Sequence, residues 1–271
     1  MRLTEQLNFA GTDTQPLLRQ ALKFFVRTAC FPAGRSLSRR LPVLIHVLDL
    51  VGTFAFAISG AFRAVKYELD LLGVIVLAVA TGIGGGIIRD ILLGSLPPNA
   101  LHNETYLLIC LVGALIVFIA APKIAVRWDF VMLADAVGLG VFTAIGAAQA
   151  ELSGAGVFTV MIMAAMTACG GGVIRDLLVK EIPAILTSDF YATAALIGGG
   201  CFVLLRPLQW SPDARLACAI IVTLGLRLIA MRYGISLPKV KRLPASPSEL
   251  TQIRKAAKKA PKISEQTSPP K

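Results

Sequence analysis

The chain repeats itself. Shifted by 86 residues, with no gap, it aligns with its own second half: Asp49 falls on Asp135, Gly52 on Gly138, Phe56 on Phe142, Gly60 on Gly146 and Gly113 on Gly199. The strongest block sets Thr81–Pro97 against Thr167–Pro183. There Thr81, Gly84, Gly85, Gly86, Ile88, Arg89, Asp90, Leu92 and Pro97 each meet the identical residue, nine matches in 17 positions. An Arg-Asp pair inside an apolar run does not recur by chance at matched places. Two copies of one structural unit follow, and any fold for this chain must be built from them.

The unit belongs in a membrane. Of the 271 residues, 55% are hydrophobic and 16% are charged, where a soluble domain carries about a quarter. The composition excludes a disordered chain and argues against a soluble enzyme, because the charges are too few to cover a wet surface. They are also displaced to the ends: residues 1–43 hold seven Lys/Arg and residues 232–271 hold ten. The net charge of +11 therefore describes two tails, which suit anionic lipid better than nucleic acid. Cys30, Cys110, Cys169, Cys201 and Cys218 form no metal-like spacing and read as small packing residues. The N-terminus lacks the pattern of a secretory signal.

A membrane helix needs about 20 mostly apolar residues. Seven candidates occur: Leu44–Val65, Leu71–Leu93, Tyr106–Ala121, Phe130–Gln149, Gly156–Val179, Phe190–Leu205 and Leu216–Met231. The third, sixth and seventh are short. Brief turn-rich connections (Tyr67 to Asp70, Pro97-Pro98-Asn99, Ser153-Gly154) make neighbours antiparallel. The expected fold class is an all-α integral membrane protein, with seven transmembrane helices as two inverted three-helix repeats plus one extra helix. Inversion follows because each unit holds an odd number of spans, so the second copy enters from the opposite side. The expected organisation is a polar and basic tail over 1–43, with a possible interfacial helix over 16–27; repeats over 44–121 and 130–205; a seventh helix over 214–233; and a basic, largely disordered tail over 234–271. Lys/Arg weight in the short loops (Arg63, Lys66, Lys123, Arg127 and Lys180 against Arg206 and Arg215) puts the C-terminus in the cytoplasm and the N-terminus outside. The N-terminal tail's own Arg27, Arg35, Arg39 and Arg40 point the other way.

Gly84-Gly85-Gly86 lies within the second span and Gly170-Gly171-Gly172 within the fifth. Each helix-interior glycine costs about 1 kcal/mol relative to alanine, so three together predict a kink or local unwinding. Freed backbone must then face protein or water, and in a wet cavity its carbonyls suit a cation. The alternative is close helix packing. Arg89, Asp90, Arg175 and Asp176 follow; a charge at this depth costs roughly 2.5–3.5 kcal/mol and seeks a partner. Depth pairs Asp49 with Arg89 in an outer cluster and Asp135 with Arg175 in an inner one. These read either as electrostatic gates or as structural ion pairs that fix register. Thr81 and Thr167 either line a pore or bond back to their own helix. Lys180 is an exposed charge or a contact for lipid phosphate. His46 and His102 read as ordinary isolated side chains. No nucleophile–base set, metal cluster or phosphate loop appears, so nothing calls for a cofactor, or for a metal beyond permeating monovalent cations.

The duplicated Gly84-Gly85-Gly86-Ile87-Ile88-Arg89-Asp90 and Gly170-Gly171-Gly172-Val173-Ile174-Arg175-Asp176, over residues 44–231, resembles the prokaryotic trimeric intracellular cation (TRIC) channel family, also labelled glycine transporter. The resemblance implies a homotrimer in the cell's inner membrane, with one pore in each protomer, permeable to K⁺ and less selectively Na⁺. It also implies that the second and fifth spans bend at their glycines and line that pore. Lys180-Glu181-Ile182 is similar to a Lys-Glu-Val element of the animal members, where a basic residue is associated with phosphoinositide. Two transport classes stay open: a passive K⁺-permeable channel, and a secondary transporter exporting a small amino acid such as glycine.

Overall fold

A computed structural model of the protein describes residues 40–124, 128–187 and 190–235. Both expected tails, with the interfacial helix over 16–27, lie outside the described residues apart from their inner ends. The described residues are helical, without a strand. In chain order they form α1 (Arg40–Lys66), α2 (Leu71–Leu92), α3 (Asn99–His102), α4 (Glu104–Ile124), α5 (Trp128–Leu152), α6 (Val157–Leu178), α7 (Ala184–Thr187), α8 (Ala192–Leu204) and α9 (Pro212–Tyr233).

Helices are the form that satisfies every backbone group within one segment, as lipid demands. Their ends carry local signals. Asp70 caps α2, accepting from Gly73 N at 2.7 Å. Ser211 caps α9, which starts on Pro212 and ends at left-handed Gly234. The short α3 and α7 fall at matching places in the two copies, in stretches whose prolines read as loops.

Five helices are long and apolar enough to cross a membrane: Leu41–Lys66, Leu71–Leu92, Val131–Leu152, Val157–Leu178 and Pro212–Tyr233. The expected third and sixth spans are the shorter apolar helices Glu104–Ala120 and Ala192–Leu204. The expected seventh is longer than its apolar run suggested, because Pro212 and Ser211 start it earlier. Large apolar side chains stay exposed along the bundle, among them Leu72, Val76, Phe158, Ile162, Leu204 and Ile221. Such a surface suits lipid or another subunit and not water.

Two apolar cores correspond to the two copies, one around Ala57, Leu77 and Cys110 and one around Ile145, Ala164 and Phe202. They meet where Phe56 and Phe142 stack, ring centres 5.3 Å apart and 14° from parallel. Gly138 makes room for Phe56 and Gly52 for Phe142. With Ser59 donating to Asp135 at 3.4 Å, the contact register falls in one sequence as it rises in the other. Equivalent helices α1 and α5 therefore run antiparallel, through reciprocal contacts of the two-fold kind.

The glycine triplets differ from expectation. Both α2 and α6 stay α-helical through them, so the expected unwinding is absent. The glycines instead let the two helices cross at backbone contact. A Cβ on Gly85 would strike the Thr167 carbonyl oxygen, and one on Gly171 the Thr81 carbonyl oxygen. A Cβ on Gly84 would lie 2.6 Å from Ile174 Cδ1, and one on Gly170 2.8 Å from Ile88 Cδ1. The entropy lost at each glycine is offset by dispersion at an unusually close crossing. Thr81 and Thr167 are fully buried and bond back to their own helices, to Leu77 O at 2.6 Å and Met163 O at 2.7 Å. Gly60 and Gly146 pack on those hydroxyls. Of the two roles left open for the threonines, this is the local one.

Candidate functional site: two charge clusters flanking a glycine crossing

Helix periodicity sets the clusters. Arg89 and Arg175 lie one turn beyond the glycine triplets, and Asp49 and Asp135 each lie about two turns before the phenylalanine of the stack on their own helix, α1 or α5. In the first cluster Arg89 Nη2 is 3.5 Å from Asp49 Oδ2, and Arg89 Nε donates to Asp90 Oδ1 at 2.8 Å. Asp90 Oδ2 accepts from the Asn99 backbone at 2.9 Å and so holds the start of α3. The Tyr106 hydroxyl donates to Asp49 at 3.0 Å and accepts from the Asn99 amide at 3.0 Å.

The second cluster repeats the plan. Arg175 Nη1 lies 2.5 Å from Asp135 Oδ1 and 2.6 Å from Ser59 Oγ, and Nε donates to Asp176 at 2.9 Å. Asp176 Oδ2 accepts from the Ala184 backbone at 2.8 Å. All six charged groups are buried, where such groups need partners.

The surroundings differ. Beside the first cluster a cavity of about 300 Å³ is lined by Pro42, Ile45, His46, Asp49, Asn99, Gln149 and Leu152. His46 also meets Tyr106 edge-on at 6.1 Å. Asp49 is shared with a narrower space of about 10 Å³, bordered by Thr53, Gly82, Gly86, Arg89 and Phe142, which is room for about one water. Gly86 faces this space: a Cβ there would meet nothing nearer than Arg89 Nη2 at 3.8 Å.

At the second cluster, the position equivalent to Gln149 is Arg63 and that equivalent to Ser95 is Glu181. Arg63 pairs with Glu181 at 2.6 Å and with Asp176 at 3.3 Å. Lys66 reaches Glu181 at 3.7 Å, and the Tyr67 hydroxyl donates to it. That hydrogen bond, helped by Arg63 and Lys66, holds the Glu181 carboxyl below its ordinary range, and the same bond raises the Tyr67 hydroxyl. Charge is thus balanced differently. The first cluster has one guanidinium against two carboxylates, net −1. The second has Arg175, Arg63 and Lys66 against Asp135, Asp176 and Glu181, net zero.

Lys180 is exposed at the turn after α6, with φ 59°, matching Gly94 with φ 72° in the first copy. His102 is exposed on α3. No group of three or more His, Cys, Asp or Glu suited to a metal occurs among the described residues. Matching the repeats for identity misses Arg63, Glu181, Gln149, Ser59 and Tyr106. Their signal lies in the positions where the two copies disagree.

A family sequence model described as "Glycine transporter" matches residues 46–122 and 132–207, one segment on each copy. The chain belongs to this family. The "UPF0126 membrane protein" of Deinococcus radiodurans is 41% identical over 202 residues, covering 74% of this chain and 93% of that protein. Two solved structures have the same fold. One is the TRIC trimeric intracellular cation channel orthologue from Rhodobacter sphaeroides, with TM-score 0.68, 35% identity, and 71% of this chain and 99% of that chain covered. The other comes from work on conductance through TRIC cation channels, with TM-score 0.69, 41% identity, and 74% and 98% covered. The family is therefore the TRIC channel family of the sequence resemblance, and the chain is a membrane protein of the cation-channel fold.

Proposed function

We propose that this protein is a passive, K⁺-permeable channel for monovalent cations. It works as a homotrimer with one passage in each protomer, as the trimeric name of the Rhodobacter orthologue suggests. In this reading the membrane is crossed seven times, by two inverted three-helix repeats and by α9, in the inner membrane. The N-terminus lies outside, and the tail over 234–271 lies in the cytoplasm against anionic headgroups. Exposed Lys180 sits on that side, within reach of lipid phosphate. The antiparallel register of α1 and α5 supports the inversion.

The observation that carries the reading is the cavity ending on the first cluster. A vestibule of about 300 Å³ leads to buried groups of net charge −1, which concentrates cations in a low-dielectric mouth. From there the path runs past Gly86 between α2 and α6 toward the second cluster. Asp49, Arg89 and Asp90 form the outer gate, and Asp135, Arg175 and Asp176 the inner one. Gly84, Gly85, Gly170 and Gly171 hold the crossing that the ion must pass, and opening requires α2 and α6 to part there. Thr81 and Thr167 carry the carbonyls that Gly171 and Gly85 touch, and these would be uncovered by that movement.

A second reading, export of a small amino acid, is favoured by one feature. Arg89 Nη1 is buried with no hydrogen-bond partner among the described residues, and Arg89 borders the narrow space that shares Asp49 with the larger cavity. Purified protein in planar bilayers and in liposomes separates the two. Resolved unitary K⁺ currents support the channel; electrically silent, saturable glycine flux without such currents replaces it with the exporter.

A further inference from the structure

The passage proposed above is not symmetric at its two central glycines. Gly86 borders a space with room for about one water, but at its counterpart Gly172 the space is taken. The Tyr191 hydroxyl stands 2.6 Å from where a Cβ on Gly172 would lie, with Tyr191 Cζ at 3.5 Å and Arg175 Nη2 at 3.8 Å. Tyr191 is 1% exposed, and its hydroxyl has no hydrogen-bond partner among the described residues. A buried hydroxyl without a partner is unfavourable and marks a place where an oxygen ligand is presented to something.

The first copy shows how this came about. The residue equivalent to Tyr191 is Thr105, and the tyrosine there is the next residue, Tyr106. A step of one residue turns a helical side chain by about 100°. Tyr106 thereby reaches Asp49 and borders the space at Gly86 without coming within 4 Å of a Cβ there, whereas Tyr191, at the N-cap of α8, stands against Gly172. The Arg227 guanidinium lies 4.9 Å over the Tyr191 ring, within cation–π range. Arg227 is on α9, the helix with no copy in the repeat.

We propose that Tyr191 is the conductance-limiting residue of the second half of the passage. Its hydroxyl stands in the ion's path at Gly172 as both obstruction and oxygen ligand, and Arg227 is the positioning residue that holds the ring there. The inference rests on the channel reading. It gives α9 a role: this helix makes one end of a duplicated passage unlike the other.

The test compares unitary K⁺ currents of the full-length wild type, Tyr191→Phe, Tyr191→Ala and Arg227→Gln in planar bilayers, with thermal stability of the same preparations. Tyr191→Phe removes one oxygen and keeps the packing; it raises unitary conductance at least about twofold, since pore dimensions and lining oxygens set the flow. Tyr191→Ala raises it further, and Arg227→Gln raises open probability. The geometry has its own arm: Gly172→Ala lowers the melting temperature, and adding Tyr191→Phe restores it. Wild-type currents left unchanged by Tyr191→Phe and Tyr191→Ala overturn the proposal, as does a Gly172→Ala loss that Tyr191→Phe does not relieve. Absence of wild-type unitary current removes the channel reading itself, and the proposal with it.

Discussion

The two charge clusters share one wiring diagram and sit in different surroundings. In each, an arginine after the glycine triplet bonds its neighbouring aspartate through Nε and an aspartate of the preceding helix through Nη. Around this common core the first cluster has Gln149 of α5 and Ser95, and a cavity remains. The second places Arg63 and Glu181, and an ion pair bridges α1 to the turn after α6. Duplication thus supplied the scaffold, and later divergence at a few positions made one end open and the other latched. Identity between the copies reports what holds the fold; difference between them reports what each end does.

The comparison breaks first at the glycines. Gly85→Ala and Gly171→Ala each drive a Cβ into the opposite helix's backbone, which has no rotamer to yield. Each is expected to destabilise by 2 kcal/mol or more, toward the upper part of the roughly 1–3 kcal/mol of ordinary overpacking. Gly86→Ala, facing open space, is expected to be neutral or to stabilise by up to about 1 kcal/mol. Thermal unfolding of the three variants in one detergent checks this; equal losses at positions 85 and 86 would contradict the crossing.

The aspartates sharpen it next. Asp135→Asn leaves Arg175 buried beside a neutral amide at a site bridged to Arg63, and a loss of about 3 kcal/mol is expected for a broken buried pair. Asp49→Asn, at the cavity wall, is expected to cost less in stability and more in K⁺ conductance. Melting temperatures and unitary currents of both variants test the reversed ranking.

A graft probes the latch. Gln149→Arg with Ser95→Glu installs the second cluster's ion pair at the mouth beside the first cluster, and K⁺ current is expected to fall severalfold, as closing an entrance requires. Glu181→Ser alone is expected to raise it. The smallest effect is that of pH. Glu181 is held below its ordinary pKa by Tyr67, Arg63 and Lys66, so its contribution is complete above the ordinary glutamate range. It is lost as pH falls through the lowered value. Exposed pairs are worth about 0–1 kcal/mol, so acidification on the side bearing Glu181 is expected to raise open probability less than about fivefold, and Glu181→Ser is expected to remove the response.

Much of the fold was legible in the sequence because membrane helices announce themselves by length and the repeat fixes their correspondence. The pairing of Asp49 with Arg89 and of Asp135 with Arg175 followed from depth alone, and the structure places these atoms 3.5 Å and 2.5 Å apart. The glycine triplets misled on local geometry. Propensity says that three glycines weaken a helix, but it cannot see that an opposing backbone will occupy the space they clear. The burial of Thr81 and Thr167 is likewise tertiary, since Gly60 and Gly146 come from other helices. Tyr191 escaped notice because it differs from Tyr106 by one residue of phase, which an alignment scored on matches discards.

The central claim is that ions pass the Asp49 vestibule and then Gly86, between the crossed helices. Replacing Gly86 by leucine tests it most directly, because the side chain would overfill the space of about 10 Å³ at that glycine, starting from a Cβ that meets nothing nearer than Arg89 Nη2 at 3.8 Å. Trimers that assemble as wild type but carry no unitary K⁺ current are the predicted result. Wild-type conductance through assembled Gly86→Leu protein would show that the ion takes another route.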